Sequence, residues 1–300
     1  MRQHGKAILR ILLVEDNEGD VRLLRHMLQE AEDEQRFDVT SCDSLQACYA
    51  LCRANEFDVI LLDLGLPGTS GIETFRSLRN RVTTTPVVIL SGVRDEKIAS
   101  LAVSEGAEDY VPKQGITPRF ISRAVRYAAE RHELKARLQY LATHDPVTGA
   151  FNRHHFNQTI DGELARSKRY KHSIGFLMVD VNRFKEINDR FGHQTGDVVL
   201  RRVADVLLEQ VRTVDMVVRY GGDEFLLVLP ETGAGCEGVA DRVRTVSVRV
   251  SDVPDAIEFP ITLAIGASWW SPDDERSIEE VLAQADQQMY ADKRRQENGA

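Results

Sequence analysis

Three runs in the first third of the chain are almost wholly Ile, Leu and Val. Each stops at a polar residue: Ile8–Val14 before Glu15-Asp16, Asp58–Leu62 before Asp63, and Pro86–Leu90 before Ser91. Strands without polar alternation are those covered on both faces, as in a parallel sheet. Amphipathic stretches over Gly19–Ala31, Gly71–Arg79 and Asp95–Glu105 separate or follow these runs, and Tyr110–Val111 begins another short strand. The alternation predicts an α/β domain, a doubly wound five-stranded parallel sheet ending near residue 118.

Thr117-Pro118 reads as an N-cap followed by Pro at the first helical position. Beyond it Phe120, Ala124, Tyr127, Arg131, Leu134, Leu138 and Leu141 recur at alternating steps of four and three, an a/d seam with Arg131 as its polar break. Such a helix either packs on its own domains or pairs with a second copy as a parallel coiled coil; the seam favours the dimer. The second half mixes helices (Phe151–Tyr170, Asp197–Gln210, and one from Ser277) with a strand at Ile174–Asp180, a hairpin and a strand at Ile261–Ser268. The hairpin joins Met216–Tyr220 to Phe225–Pro230 through Gly221-Gly222-Asp223-Glu224, and the mixture suggests an α+β domain with a mainly antiparallel sheet. The expected layout is therefore 1–118, a helical linker over 119–143, and 144–300.

The charge follows the same division. The net charge is -9 overall. Residues 1–118 carry 13 Lys+Arg against 19 Asp+Glu, residues 119–143 carry 6 against 2, and residues 144–300 carry 19 against 26. An acidic C-terminal half without a helix-turn-helix pattern argues against DNA binding. No run of 18 apolar residues occurs, so membrane insertion is not expected. The polar N-terminus lacks a secretory pattern, and Cys42, Cys48, Cys52 and Cys236 have neither disulfide nor zinc spacing. Reduced thiols and a cytoplasmic setting are expected.

Ligands of open α/β sheets bind at the carboxyl ends of strands. Here those ends carry Glu15, Asp16, Asp63, Ser91 and, after the fifth strand, Lys113. Carboxylates in this number suit Mg²⁺, and a carboxylate beside Mg²⁺ can attack phosphorus to form an aspartyl phosphate. The ammonium and hydroxyl would then hold phosphoryl oxygens. Singly, each residue could be a cap or a solvated charge. Together, in the segments ILLVEDN, ILLDLGLPG, VVILSG and YVPK, they make residues 8–118 resemble a response-regulator receiver domain. The resemblance implies a cognate histidine kinase and Asp63 as phospho-acceptor. It places Glu15, Asp16, Asp63 and the Gly65 carbonyl around Mg²⁺, makes Ser91 and Lys113 phosphate sensors, and makes Tyr110 the aromatic reporter.

In the second half, a Gly-Gly pair at a hairpin tip permits positive φ and a close backbone approach to a ligand. Asp223 and Glu224 at that tip and Asp180 at a strand end would combine hard-cation ligands with phosphate contact, the makings of metal-assisted phosphoryl or nucleotidyl transfer. Lys185 would neutralise phosphate charge. No G-x-x-x-x-G-K-[ST] segment occurs, so a P-loop is excluded.

Five ordered segments, DPVTGAFNRHHF, DVNRFKEINDRFGHQTGD, RTVDMVVRYGGDEF, ITLAIG and ADQQMYADK, make residues 138–297 resemble the GGDEF diguanylate cyclases, whose fold is nucleotide-cyclase-like. The resemblance implies condensation of two GTP into cyclic di-GMP and two pyrophosphates across a homodimer. It assigns Asp180, the Val181 carbonyl and Asp223 to Mg²⁺ (or Mn²⁺). Asp223 or Glu224 serves as base, with Lys185 and Lys293 on phosphates and Gly221 and Gly222 close to substrate. Asn188 and Asp197 read the guanine edge. Arg212 and Asp215 form an RxxD site where product inhibits. Phosphorylation of Asp63 would favour pairing of the 120–141 helix and so bring two tips face to face.

Some positions depart from the pattern. Asn182 stands where a second Asp is usual, Ala264 where Ser is frequent, and Val147 and Ala150 where Leu is frequent. Glu297 stands four residues after Lys293, where the family often has Arg; Arg294 or Arg295 would take over its role, or GTP would bind more weakly. The alternative reading is a catalytically weak domain that senses cyclic di-GMP through Arg212 and Asp215. The intact tip, Asp180 and Lys185 argue against it. His144, His154, His155 and His193 read as structural or surface residues, and Trp269-Trp270 is left open between core and contact patch.

Overall fold

The structure, a computed structural model, describes residues 8–31, 36–92, 96–245 and 261–298. The chain divides into two compact units, Met1–Arg137 and Leu138–Ala300. The first contains β1 (Leu9–Val14), α1 (Glu18–Glu30), β2 (Phe37–Cys42), α2 (Leu45–Ala54), β3 (Val59–Asp63), α3 (Ile72–Arg79), β4 (Val87–Ser91), α4 (Glu96–Ser104), β5 (Asp109–Pro112) and most of α5 (Pro118–Thr143). Its sheet is wholly parallel in the order β2-β1-β3-β4-β5. β3 and β4 are buried at every position, which is why their sequences lack polar alternation. One sheet face packs on α2, α3 and α4 through Cys48, Phe75, Leu78 and Ala102, and the other on α1 and α5 through Leu24, Leu28, Ile121 and Val125. The doubly wound five-stranded expectation is met. One strand of the five, β2, has no run of its own in the sequence reading. It is an edge strand, half-buried, and its FDVTSC sequence carries polar residues accordingly.

The first turns of α5 belong to this unit. Ile121, Ala124, Val125 and Ala128 are buried against the sheet, and Ala124 is one of the seam positions. The other apolar seam positions are exposed, Leu134 at 60% and Leu138 at 66%. Arg131 is also exposed as a residue, but its guanidinium turns to the Glu108 carbonyl at 3.2 Å rather than following the seam.

The second unit contains β6 (Phe151–Asn152), α6 (Arg153–Tyr170), β7 (Ile174–Val181), α7 (Phe184–Phe191), α8 (His193–Gln210), β8 (Met216–Arg219), β9 (Glu224–Pro230), α9 (Cys236–Thr245), β10 (Leu263–Trp270) and α10 (Ile278–Asn298). The sheet order is β10-β7-β9-β8-β6, antiparallel except for β6 with β8. Phe151-Asn152 is a strand rather than the start of a helix, because Asn152 caps α6 by accepting from the His155 N–H. The helix expected from Asp197 begins at His193, preceded by α7, which the sequence reading carries only as a motif. Ser277 and Glu280 form a reciprocal capping box at the start of α10. Trp270 is core and Trp269 is 38% exposed. His144 stacks between Tyr140 and Phe151, and Phe151 on His155, consistent with structural histidines. The four cysteines are free thiols. No helix among the described residues is long and apolar enough to cross a membrane.

Candidate functional site

Two acidic sites form, one in each unit. In the first, parallel register brings the ends of β1 and β3 side by side, Val14 opposite Leu62, so Glu15 and Asp63 emerge together. Glu15, Asp16 and Asp63 place carboxylate oxygens within 4.8 Å of one another. Lys113 spans the cluster: its Nζ lies 2.5 Å from Glu15, 2.9 Å from Asp63 and 2.8 Å from Asp20. The Lys113 N–H donates to the Ser91 carbonyl at 2.8 Å, which fixes the loop after β5 beside β4. Burial opposes charge on Lys113, but hydrogen bonds to Asp20, Glu15 and Asp63 outweigh it and raise its pKa. Burial also raises the Glu15 pKa, against the pull of Lys113. The Gly65 N–H donates to Asp63 at 2.9 Å, and a Cβ at Gly65 would crowd the same oxygen, so only glycine fits there without a shift. Ser91 is buried at the end of β4 and Tyr110 half-buried on β5. Asp20 is absent from the sequence reading. It stands in the first turn of α1, outside the strand-end pattern, and only the fold brings it to Lys113.

In the second unit the β7/β9 register sets Asp180 opposite Glu224, and the Val181 N–H donates to the Asp223 carbonyl at 3.2 Å. Asp180 is 6% exposed and accepts from Lys293 Nζ at 2.6 Å. The Glu224 pKa is raised, first by burial and then by Asp180, Asp223 and Asp286, with Lys293 pulling the other way. Neither tip glycine adopts positive φ. A Cβ at Gly221 would lie 2.4 Å from Glu224 Oε2, which folds back over it, so a side chain there would displace the Glu224 carboxylate. Arg219 ties the tip down. Its guanidinium donates to the Gly222 carbonyl at 2.8 Å and pairs with Asp145 at 2.9 Å.

Asn188 on α7 lies against Gly196 of α8, next to Asp197, and its Oδ1 is buried without a hydrogen-bond partner. Lys185 and Asp197 are exposed. Arg212 and Asp215 form a two-pronged pair at 2.9 and 3.2 Å, and the Arg212 N–H donates to Asp215 at 2.7 Å. Asp215 raises the Arg212 pKa, and the guanidinium also reaches the Pro230 carbonyl. Asn182 donates to Thr262 Oγ1 at 2.9 Å and to Gln296 Oε1 at 2.7 Å, tying the end of β7 to α10 near Lys293. Arg294 lies over the Tyr290 ring. The Glu297 side chain is outside the described residues.

Oxygen donors fit a hard divalent cation in both places. The first unit offers three carboxylates within 4.8 Å, and the second offers a buried aspartate beside the tip carboxylates. The first site is thus an acidic, lysine-bridged strand edge on a parallel sheet, and the second a glycine-tipped hairpin on a mixed sheet. The family model for the response regulator receiver domain matches residues 11–125, and that for the diguanylate cyclase GGDEF domain matches residues 142–299. The chain belongs to the GGDEF family and carries a receiver domain ahead of it.

Among relatives, response regulator PleD of Caulobacter vibrioides is 28% identical over 94% of this chain and 63% of its own length. Diguanylate cyclase DosC of Escherichia coli is 36% identical over 51% of this chain and 34% of its own. The chain thus spans less than two thirds of either relative. The solved coiled coil and GGDEF domain of DgcB from Caulobacter crescentus, in complex with c-di-GMP, is 28% identical, covering 58% of this chain and 94% of that one, with a TM-score of 0.48.

Proposed function

We propose that this chain is a phosphorylation-regulated diguanylate cyclase of the cytoplasm, condensing two GTP into cyclic di-GMP and two pyrophosphates. One observation carries the reading: the β7/β9 register sets buried Asp180, held by Lys293, against the Asp223-Glu224 tip. Asp180, the Val181 carbonyl and Asp223 would hold Mg²⁺ or Mn²⁺, which supplies Lewis-acid polarisation of the phosphates when bound. Glu224, with Asp223, accepts the 3′-hydroxyl proton; its raised pKa brings it toward the range where a general base works best. The 3′-oxygen then bonds to the α-phosphorus of the GTP on the facing domain, and pyrophosphate departs with the electron pair of the broken bond. A second such step closes the ring. Lys185 and Lys293 take up phosphate charge. Gly221 and Gly222 keep the tip backbone bare for close approach. The orphaned Asn188 oxygen, beside Asp197, accepts from guanine N–H groups that adenine does not offer.

Each domain holds one GTP, so two tips must meet. The exposed seam of α5 supports a homodimer through that helix. In the receiver, the Asp63 carboxylate attacks phosphorus carried by a cognate histidine kinase. Glu15, Asp16, Asp63 and the Gly65 carbonyl would hold Mg²⁺, which supplies charge neutralisation when bound. Ser91 and Lys113 then bind phosphoryl oxygens and Tyr110 reports the change. Arg212 and Asp215 form the inhibitory site for product, with no role for DNA.

The test is incubation of the protein with GTP and Mg²⁺, with and without beryllofluoride as phosphoryl mimic, with products identified by chromatography and mass. Cyclic di-GMP that rises with beryllofluoride is expected. Equal product in both samples overturns the switch. No product, together with tight binding of cyclic di-GMP by stripped protein, overturns the enzyme in favour of a sensor.

A further inference from the structure

We infer that Glu108 anchors the outer half of α5 to the receiver sheet, and that β5 connects this anchor to the phospho-acceptor pocket. The inference rests on the phosphorylation switch proposed above and gives it a mechanical route.

The buried face of α5 ends at Ala128. From Glu130 to Leu141 every residue is exposed except half-buried His132. Yet this outer stretch is tied to the sheet at one place. Glu108, 8% exposed, accepts from Lys135 Nζ at 2.8 Å through Oε1, and its carbonyl accepts from Arg131 Nη1 at 3.2 Å. Arg131 and Lys135 are four residues apart and so share a helix face. The polar break in the seam thus has a use within the chain.

Glu108 immediately precedes β5, and Lys113 immediately follows it. Both ends are pinned to β4: the Glu108 N–H donates to the Val87 carbonyl and the Lys113 N–H to the Ser91 carbonyl, each at 2.8 Å. Between them Val111 is fully buried. The four residues of β5 thus join the two positions through one stretch of sheet-bonded backbone. At its far end Lys113 touches Asp63, and a phosphoryl group there must draw the ammonium away from its present three carboxylates.

The anchor has a second arrangement available. Glu108 Oε2 is buried without a hydrogen bond, and Arg131 Nη1 stands 3.7 Å away, bonded to the carbonyl instead. Oε2 is therefore ion-paired with Arg131 without a hydrogen bond, and a charge-assisted hydrogen bond between the same two groups would be stronger. A small shift of β5 against α5 would exchange the carbonyl bond for a carboxylate bond. Discrete exchange of this kind, rather than smooth deformation, is how packed elements switch.

Hydrogen exchange on the full chain tests this directly. Amides 130–137 should exchange roughly tenfold faster in Glu108→Gln than in wild type, about the loss of one charge-assisted hydrogen bond, with 118–128 unchanged. Beryllofluoride should alter protection over 130–137 in wild type and leave it unaltered in Glu108→Gln. Fluorine NMR checks that beryllofluoride occupies both proteins. Lys135→Gln, at an exposed residue, should give a weaker form of the same effect and serves if Glu108→Gln does not fold. Wild-type-like exchange at 130–137 in the variants, or no effect of bound beryllofluoride on wild type there, overturns the anchor. Absence of cyclic di-GMP from wild type would sink the cyclase reading instead, and the exchange result would still decide the anchor.

Discussion

Arg219 holds the hairpin tip, and its removal should separate a modest loss of stability from a large loss of rate. The side chain leaves the last residue of β8 and is 14% exposed; its partner Asp145 is 18% exposed. One fork of the guanidinium meets Asp145 Oδ1 at 2.9 Å, and Nη2 and Nε meet the Gly222 carbonyl at 2.8 and 3.3 Å. Breaking a buried pair typically costs about 3–5 kcal/mol because a bare charge remains. Asp145 is not left bare. It also accepts from the Val147 N–H at 3.2 Å and from the Thr148 N–H and hydroxyl at 2.9 Å each. Arg219→Met should therefore cost about 1.5–3 kcal/mol, the range for hydrogen bonds to charged groups. For a domain of this size that lowers Tm by about 2–4 °C per kcal/mol.

The rate should fall further. Without Arg219 the Gly222 carbonyl loses the guanidinium that holds it, and a misplacement of about 1 Å at a reacting group costs on the order of 100-fold. Arg219→Lys should recover part of the Tm, since an ammonium can still meet Asp145. It should not recover kcat, since it lacks the fork that reaches both partners. Acid titration of stability supplies an internal check. Burial pushes the Asp145 pKa up, but Thr148 and Arg219 together hold it below its usual value. A folded pKa below the unfolded one means that the stabilisation is present above roughly pH 4 and is lost as pH falls through the folded pKa. That acid-sensitive part should shrink in Arg219→Met. A variant with wild-type kcat/KM and wild-type Tm would refute the reasoning.

Three further outcomes are expected. Lys293→Met removes the cation that lowers the Glu224 pKa, so the acid limb of kcat/KM should move to higher pH; a limb that stays in place, measured with GTP from pH 5 to 9, would count against Glu224 as base. Asp63→Asn should keep wild-type circular dichroism and basal rate but lose the response to beryllofluoride, read by cyclic di-GMP output; a retained response would remove the switch. Arg212→Ala should leave the initial rate largely intact while progress curves lose their late curvature from product inhibition; unchanged curvature would remove the inhibitory site.

Legibility in the sequence followed burial. Strands covered on both faces, β3 and β4, announce themselves as unbroken apolar runs, and their carboxyl ends give Asp63 and Ser91 directly. The half-buried edge strand β2 does not, since packing on an edge permits polar residues. A Gly-Gly pair permits positive φ, which neither tip glycine adopts, and the approach of the Glu224 carboxylate to Gly221 is visible only in the folded hairpin.

What the sequence could not show is the set of polar ties that join distant positions: Asp20 to Lys113, Arg219 to Asp145, Asn182 to Gln296 and Lys135 to Glu108. None has a local signature, because a charged residue on a helix face looks the same whether its partner is water or a carboxylate brought there by the fold. Arg131 shows the consequence. In the heptad it reads as a defect in an apolar stripe, and by itself that weakens the case for a seam. Bonded to the Glu108 carbonyl, it becomes a reason for the stripe to be interrupted at that turn. If α5 pairs as proposed, it must do so while remaining attached to its own sheet, and Arg131 serves the second demand. Arg131 is the first seam position beyond Ala128, where the buried face ends.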